Sequence, residues 1–194
     1  MKMSNKSLRN ALCLTMAVLL LTMLSVPALS LEKAPGFSFR GGIEFGMTMD
    51  EVKNLETGGN SYTGEDYVFY FDQEQSGRTI TLGYHFNEST KLLENISVSL
   101  EDKLDGVDEY VTDFDSIDQS LSGAFENGGF EKYLSWSSGM EEEQNADEYK
   151  DALARGDVTL ISSWSGDGVE IYHLLSCYDN SYSHMIMYYP EGGI

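Results

Sequence analysis

The stretch Phe45-Gly46-Met47-Thr48-Met49-Asp50-Glu51-Val52 gives the chain its first fixed point. An apolar residue and a glycine end an extended segment and open a turn. Thr48 then stands as a helix N-cap, its hydroxyl placed to accept from the Glu51 backbone N–H, while the Glu51 carboxylate can reach back to the Thr48 N–H. Met47 and Val52 occupy the positions of a hydrophobic staple. Val52 and Leu55 continue the buried face, and Gly58-Gly59 close what must be a short helix.

C-terminal to the octet, hydrophobic periodicity switches to two. Residues 67–71 are continuously apolar and aromatic. In 79–86, Ile80, Leu82, Tyr84 and Phe86 face one way; in 94–100, Ile96, Val98 and Leu100 do the same. These are strands with one buried and one wetter face. Val107, Tyr110, Val111, Phe114, Ile117, Leu121, Ala124 and Phe125 then recur at helical spacing, ending at Asn127-Gly128-Gly129. A short strand over 130–136, an acidic loop over 139–149 and a turn or two of helix from Tyr149 to Ala154 follow. Three strands close the chain: Val158–Trp164, Val169–Tyr178 and His184–Tyr189, the first two joined through Ser165-Gly166-Asp167-Gly168. This order predicts an α+β fold of two helix-plus-antiparallel-sheet units, residues 31–102 and 103–194, packed as one globular domain. A structural tandem repeat is one reading of the order, and chance is the other.

N-terminal to the octet, Lys2, Lys6 and Arg9 precede an apolar run from Ala11 to Leu24, and then Pro27, Ala28 and Ser30. This is the pattern of a signal peptide over residues 1–30, cleaved before Leu31. The alternative is an uncleaved anchor, since the run approaches the roughly 20 residues a bilayer requires. Pro27 and the small residues favour cleavage, after which no stable membrane insertion is expected. Cleavage removes three of the 12 basic residues and none of the 32 acidic ones, taking the net charge from −20 to −23. Such a chain has nothing to offer nucleic acid phosphates; it favours basic partners or divalent cations. Of Cys13 and Cys177 only the second survives, so the mature chain has no internal disulfide.

Within the octet, Gly46, Met47, Thr48, Glu51 and Val52 resemble the G-M-[ST]-x-x-[EQ]-V helix start of two groups. These are the outer-membrane assembly lipoproteins of the BamE (SmpA/OmlA) type and the secreted β-lactamase inhibitory proteins. The resemblance implies a small, extracytoplasmic, non-enzymatic protein that acts by protein–protein contact, in a helix-plus-sheet fold. It covers about a twentieth of the chain and carries over no functional residue. The lipid-anchoring Cys of the first group has no counterpart, because Cys13 lies inside the apolar run. The segments Gly156-Asp157-Val158-Thr159 and Ser163-Trp164 resemble secreted proteins of anaerobic Gram-positive bacteria, which implies no function.

Chemistry-bearing patterns are sparse. His85, His173 and His184 each fall on a strand and would make a zinc site only if those strands were neighbours; stray strand histidines are the alternative. His173 and Cys177 lie about 13 Å apart on a regular strand, too far for a thiol–imidazole dyad. The carboxylates from Asp113 to Asp118 lack the glycine of a calcium loop and read as acids favoured near a helix N-terminus. No nucleophile elbow and no phosphate loop is present. No cofactor is expected.

Two candidate contact surfaces remain. Glu141, Glu142 and Glu143 form the densest acidic cluster, a docking surface for a basic partner or simply a solvated loop. Tyr172, Tyr178 and Tyr188 lie on the last two strands, with Tyr189, and would form a contact surface if the sheet left a face uncovered; otherwise they pack across strands. The expectation is therefore a secreted, non-catalytic binding or scaffold module of the bacterial cell envelope with an unidentified, basic protein partner. The alternatives are a secreted hydrolase with a dispersed acidic site, or an inhibitor of a secreted enzyme.

Overall fold

The computed structural model describes residues 37–125, 129–137 and 149–192. The octet forms the device its sequence specifies. The Thr48 side chain accepts from the Glu51 N–H, and Glu51 Oε2 accepts from the Thr48 N–H at 2.8 Å, capping helix α1 (Met49–Leu55). Gly46 has a positive φ of 81°, and its N–H bonds to the Leu93 carbonyl at 2.9 Å. The octet is thereby stitched to the sheet as well as to its helix. The helix stops at Leu55, ahead of the two glycines: Glu56 leaves helical geometry and turns inward, where it accepts from the Tyr84 hydroxyl and pairs with Arg40, each at 2.6 Å.

Eight strands follow in chain order among the described residues: β1 (Asn60–Thr63), β2 (Tyr67–Gln75), β3 (Arg78–Phe86), β4 (Leu93–Leu100), β5 (Gly129–Trp136), β6 (Val158–Gly166), β7 (Val169–Tyr178) and β8 (Ser181–Pro190). Helix α2 (Val107–Ala124) lies between β4 and β5, and helix α3 (Tyr149–Arg155) between β5 and β6. Three hairpins close on two residues that both have positive φ: Ser76-Gly77, Asp167-Gly168 and Asp179-Asn180. Two left-handed residues are what a right-twisted hairpin needs at its tip, and these residue types tolerate it.

The expected α+β arrangement of two helix-plus-sheet units is corrected here. All eight strands form one antiparallel sheet in the order β1-β2-β3-β4-β8-β7-β6-β5, and the protein is mostly β with three short helices among the described residues. The physical reason is the β4–β8 pairing, with Ile96 opposite Tyr188 and Val98 opposite Ile186. It joins the last strand of each half, so neither half closes a sheet of its own. β1 was not foreseen; β7 spans the expected Val169–Tyr178, and β6 and β8 run longer than expected.

The three helices and the segment around Phe37–Phe45 share one face of this sheet. Ile80, Leu82 and Tyr84 of β3, Ile96 and Val98 of β4, Ile171 of β7 and Ile186 of β8 build a core with Ile43, Phe45 and Val52. A second cluster joins Tyr110, Val111 and Phe114 of α2 to Ala152 and Leu153 of α3 and to Val158, Leu160 and Leu175. Tyr188 belongs to the first cluster: it is 9% exposed and stacks on Phe37 with ring centroids 5.6 Å apart. Adjacent strand residues face opposite ways, so Tyr188 goes to the core and Tyr189 to the other face. Tyr188 is therefore corrected as a contact-surface residue.

Candidate functional site

Two features stand out: a buried polar chain beneath α2 and the face of the sheet that no described helix covers. The buried chain starts at Asp118, which sits on the apolar stripe of α2 between Phe114 and Leu121. Its Oδ2 accepts from the Ser162 hydroxyl, and its Oδ1 faces His173 Nδ1, both at 2.7 Å. His173 Nε2 meets His184 Nε2 at 2.7 Å, and His184 Nδ1 lies 3.5 Å from Asp113, which holds Arg78 through both guanidinium arms. Lys132 reaches Asp118 at 3.2 Å and Asp115 at 2.5 Å. Phe114 stacks on His173 with ring planes within 6° and centroids 3.9 Å apart.

Burial is the main force on the two imidazoles. It pushes His173 below its usual pKa against the pull of Asp118, and burial together with the neighbouring His173 pushes His184 down to about 3. With both rings neutral, the His173–Asp118 contact is a hydrogen bond rather than an ion pair, and one proton lies between the two Nε2 atoms. Burial opposes ionisation of Asp118, but hydrogen bonds from His173 and Ser162 and the charge of Lys132 outweigh it, leaving its pKa below the usual range. Arg78 does the same for Asp113.

This chain contains Ser, Asp and His, but its wiring is not that of an activated nucleophile. Ser162 donates to the carboxylate instead of to an imidazole, and His173 spends both ring nitrogens on protein partners. Ser162 and His173 are 0% exposed. What the arrangement does is tie α2 to β3, β5, β6, β7 and β8. It also decides the histidine question: His173 and His184 meet, whereas His85 lies on the opposite face beside Ser97 at 3.3 Å. No group of three or more metal-ligating side chains occurs among the described residues.

The other face is built differently. Most of its aromatic side chains form two runs. Tyr62, Tyr67, Phe69, Phe71 and His85 line up across β1–β3 with successive ring centroids 5.4–6.3 Å apart, and Tyr172 meets Tyr189 edge-on at 5.9 Å on β7 and β8. Between and beside them lie Thr79, Thr81, Ser97, Ser99, Leu174, Met185, Met187, Thr159, Ile161 and Ser163, placed on this side by the strand register. The strands carry two cationic residues, Arg78 and Lys132, and both turn to the helix side to meet α2. Every charged strand residue whose parity points to the uncovered face is an acid, including Glu74, Glu131 and Glu170, and Glu94 lines the groove on the same face.

Of the expected contact residues, Tyr172 lies on the uncovered face, and Tyr178 shares its parity at the end of β7, 86% exposed. Glu141, Glu142 and Glu143 lie outside the described residues. A shallow groove of about 590 Å³ crosses β4, β8 and β7, lined by Glu94, Asn95, Glu170, Tyr172, Leu174, Met187 and Tyr189. Sequence reading missed Glu94 and Glu170, and no periodicity could have paired residues on strands so far apart in the chain.

No known protein family, curated protein or solved structure matches this chain. Among the described residues, no helix is long and apolar enough to cross a membrane.

Proposed function

We propose that the protein is an extracytoplasmic binding module that holds a basic protein partner against the uncovered face of its sheet. The observation that carries this reading is the composition of that face: aromatic, Met and hydroxyl side chains whose charges are all negative. Aromatics and Met are the side chains enriched at protein interfaces, and a face of one sign steers a partner of the other. Size agrees. Eight strands spaced by about 4.8 Å, each contributing roughly 8 residues at about 3.3 Å, give a footprint on the order of 900 Å². A standard interface needs about 800 Å² per partner. The resemblance of the octet to BamE-type and β-lactamase inhibitory proteins points the same way, toward a non-enzymatic contact protein outside the cytoplasm.

Affinity capture from cell-envelope extract tests the reading. The unaltered protein retains a specific partner in a salt-dependent manner, and a variant carrying Leu174→Glu and Phe69→Ser loses it while keeping its fold by circular dichroism. Retention unchanged by these substitutions, or no partner at all, removes the proposal.

A further inference from the structure

The groove across β4, β8 and β7 has a more specific chemistry than the face around it. In the β3–β4 ladder, His85 pairs with Asn95 and Phe86 with Leu93, so Glu94 is an extra residue in β4. Leu93 and Ile96 are both 0% exposed on the helix side. The two residues between them therefore both turn to the uncovered face, where strict alternation would have sent Glu94 into the core. A bulge that re-aims a side chain in this way is a recurrent feature of binding sites. Asn95 fixes the bulge by donating to the Tyr188 carbonyl at 3.2 Å, and Asn87 donates to Glu94 Oε2 at 2.8 Å, which holds the carboxylate in place.

Across β8 stands Glu170, opposite Tyr189 in the ladder. β4 and β7 flank β8, so the two glutamate backbones are separated by about two strand spacings, roughly 9.5 Å. Tyr189 stands between them on β8, on the same face, so a flat cation would lie over its ring and reach a carboxylate on either side. Tyr172 adds ring surface, its hydroxyl 3.5 Å from Glu170 Oε2, and Leu174 and Met187 supply apolar surface along the groove. No cationic residue lines the groove, and neither glutamate has a cation within ion-pair distance among the described residues.

Two carboxylates flanking a tyrosine ring and apolar surface match a guanidinium. It can donate to both sides at once, lie against a tyrosine face, and bury its methylene stem on Leu174 and Met187. An ammonium is a compact, strongly hydrated charge and fills this shape less well. We propose that the groove is the specificity pocket for an arginine side chain presented by the protein partner. This rests on the uncovered face being the contact surface.

The test is a titration of the isotope-labelled protein with Nα-acetyl-arginine methylamide, followed by NMR. Its lysine counterpart and its uncharged isostere, the citrulline derivative, serve as parallel probes. The expected result is saturable, millimolar binding with shift changes at Tyr172, Tyr189 and the Asn95 side-chain amide. Citrulline gives no such changes, and the lysine probe binds several-fold more weakly. Replacing both acids, Glu94→Gln with Glu170→Gln, weakens arginine binding by at least about tenfold while the rest of the spectrum stays in place. The assignment is overturned if the arginine probe does not saturate, if citrulline or lysine binds equally well, or if the double variant binds as before. Partner capture that is lost with Leu174→Glu and Phe69→Ser but unaffected by the two Gln substitutions would refute the pocket and leave the contact face standing.

Discussion

Asp118 shows how much one side chain can carry. It is 6% exposed, and three residues of the sheet, Ser162, His173 and Lys132, converge on its two oxygens. Asp118→Ala leaves His173, Ser162 and Lys132 facing a gap, at a cost of about 3 kcal/mol or more. For a domain of this size that lowers the melting temperature by roughly 6–12 °C, and a calorimetric scan showing a shift under 2 °C would contradict it. The histidines make a second prediction. Their folded pKa values lie below the unfolded value of about 6.5, so in acid the unfolded chain binds protons that the folded one refuses. The stabilisation is complete above about pH 6.5 and drains away as pH falls toward 3, the folded value of His184. Asp118 and Asp113 face the pair from α2, Lys132 from β5 and Arg78 from β3. Both carboxylates have lowered pKa values and deepen the loss at the acid end of that window. Urea denaturation at pH 7 and pH 4 should differ by a few kcal/mol, and His184→Gln should flatten the difference; an equal slope in the variant counts against this account. The sequence carried the signal for this network. His173 and His184 stand at the apolar parity of their strands, and Asp118 stands four residues after Phe114 on the apolar stripe of α2. The reading that missed it took the acids from Asp113 to Asp118 for residues of the first helical turn, whereas the helix starts at Val107.

At the scale of elements, local chemistry was most legible where it was redundant. The octet combines a hydroxyl cap, a carboxylate that answers it and a left-handed glycine, and the structure realises all three. Thr48→Ala should cost about 1 kcal/mol, read from a denaturation midpoint that shifts without a change of slope. The end of α3 offers a sharper test. Gly156 has a φ of 81°, and a Cβ placed there would lie 2.5 Å from the Cys177 carbonyl oxygen. Backbone leaves that contact nowhere to go, so Gly156→Ala should destabilise by more than 1 kcal/mol, beyond the ordinary cost of a side chain in that conformation. A neutral substitution would show that the helix end can shift away from β7. β1 escaped sequence reading for an equally local reason. All four of its residues are exposed, and Asn60–Thr63 has no alternation to betray an edge strand.

At the scale of the whole molecule, the strands were legible and their assembly was not. Period-two patterning says which side of a strand is buried; β3 and β4 were read that way, β2 in part from a continuous apolar run, and most of β6, β7 and β8 was also placed. It is silent on which strand pairs with which. The β4–β8 junction joins residues about ninety apart, and two separate units or one sheet satisfy the same local pattern. The site followed suit: Tyr172 was legible as an outward tyrosine, while its acidic neighbours Glu94 and Glu170 depend on the junction and on a bulge. β8 is held on both edges, by β4 and by β7, and its Ile186 and Tyr188 lie in the main core. Ile186→Asp should accordingly abolish cooperative unfolding in a denaturant titration; a retained two-state transition would mean that the halves hold without their shared strand. That position of β8 also sets a clock. Residues 181–190 come after every other described strand in the chain, yet they occupy the middle of the sheet. Until they arrive, β1–β4 and β5–β7 have no common edge, and the pairing that unites them must then span a long loop, which is slow to close. A sheet whose keystone follows all its other described strands stays unfinished until that strand has been made.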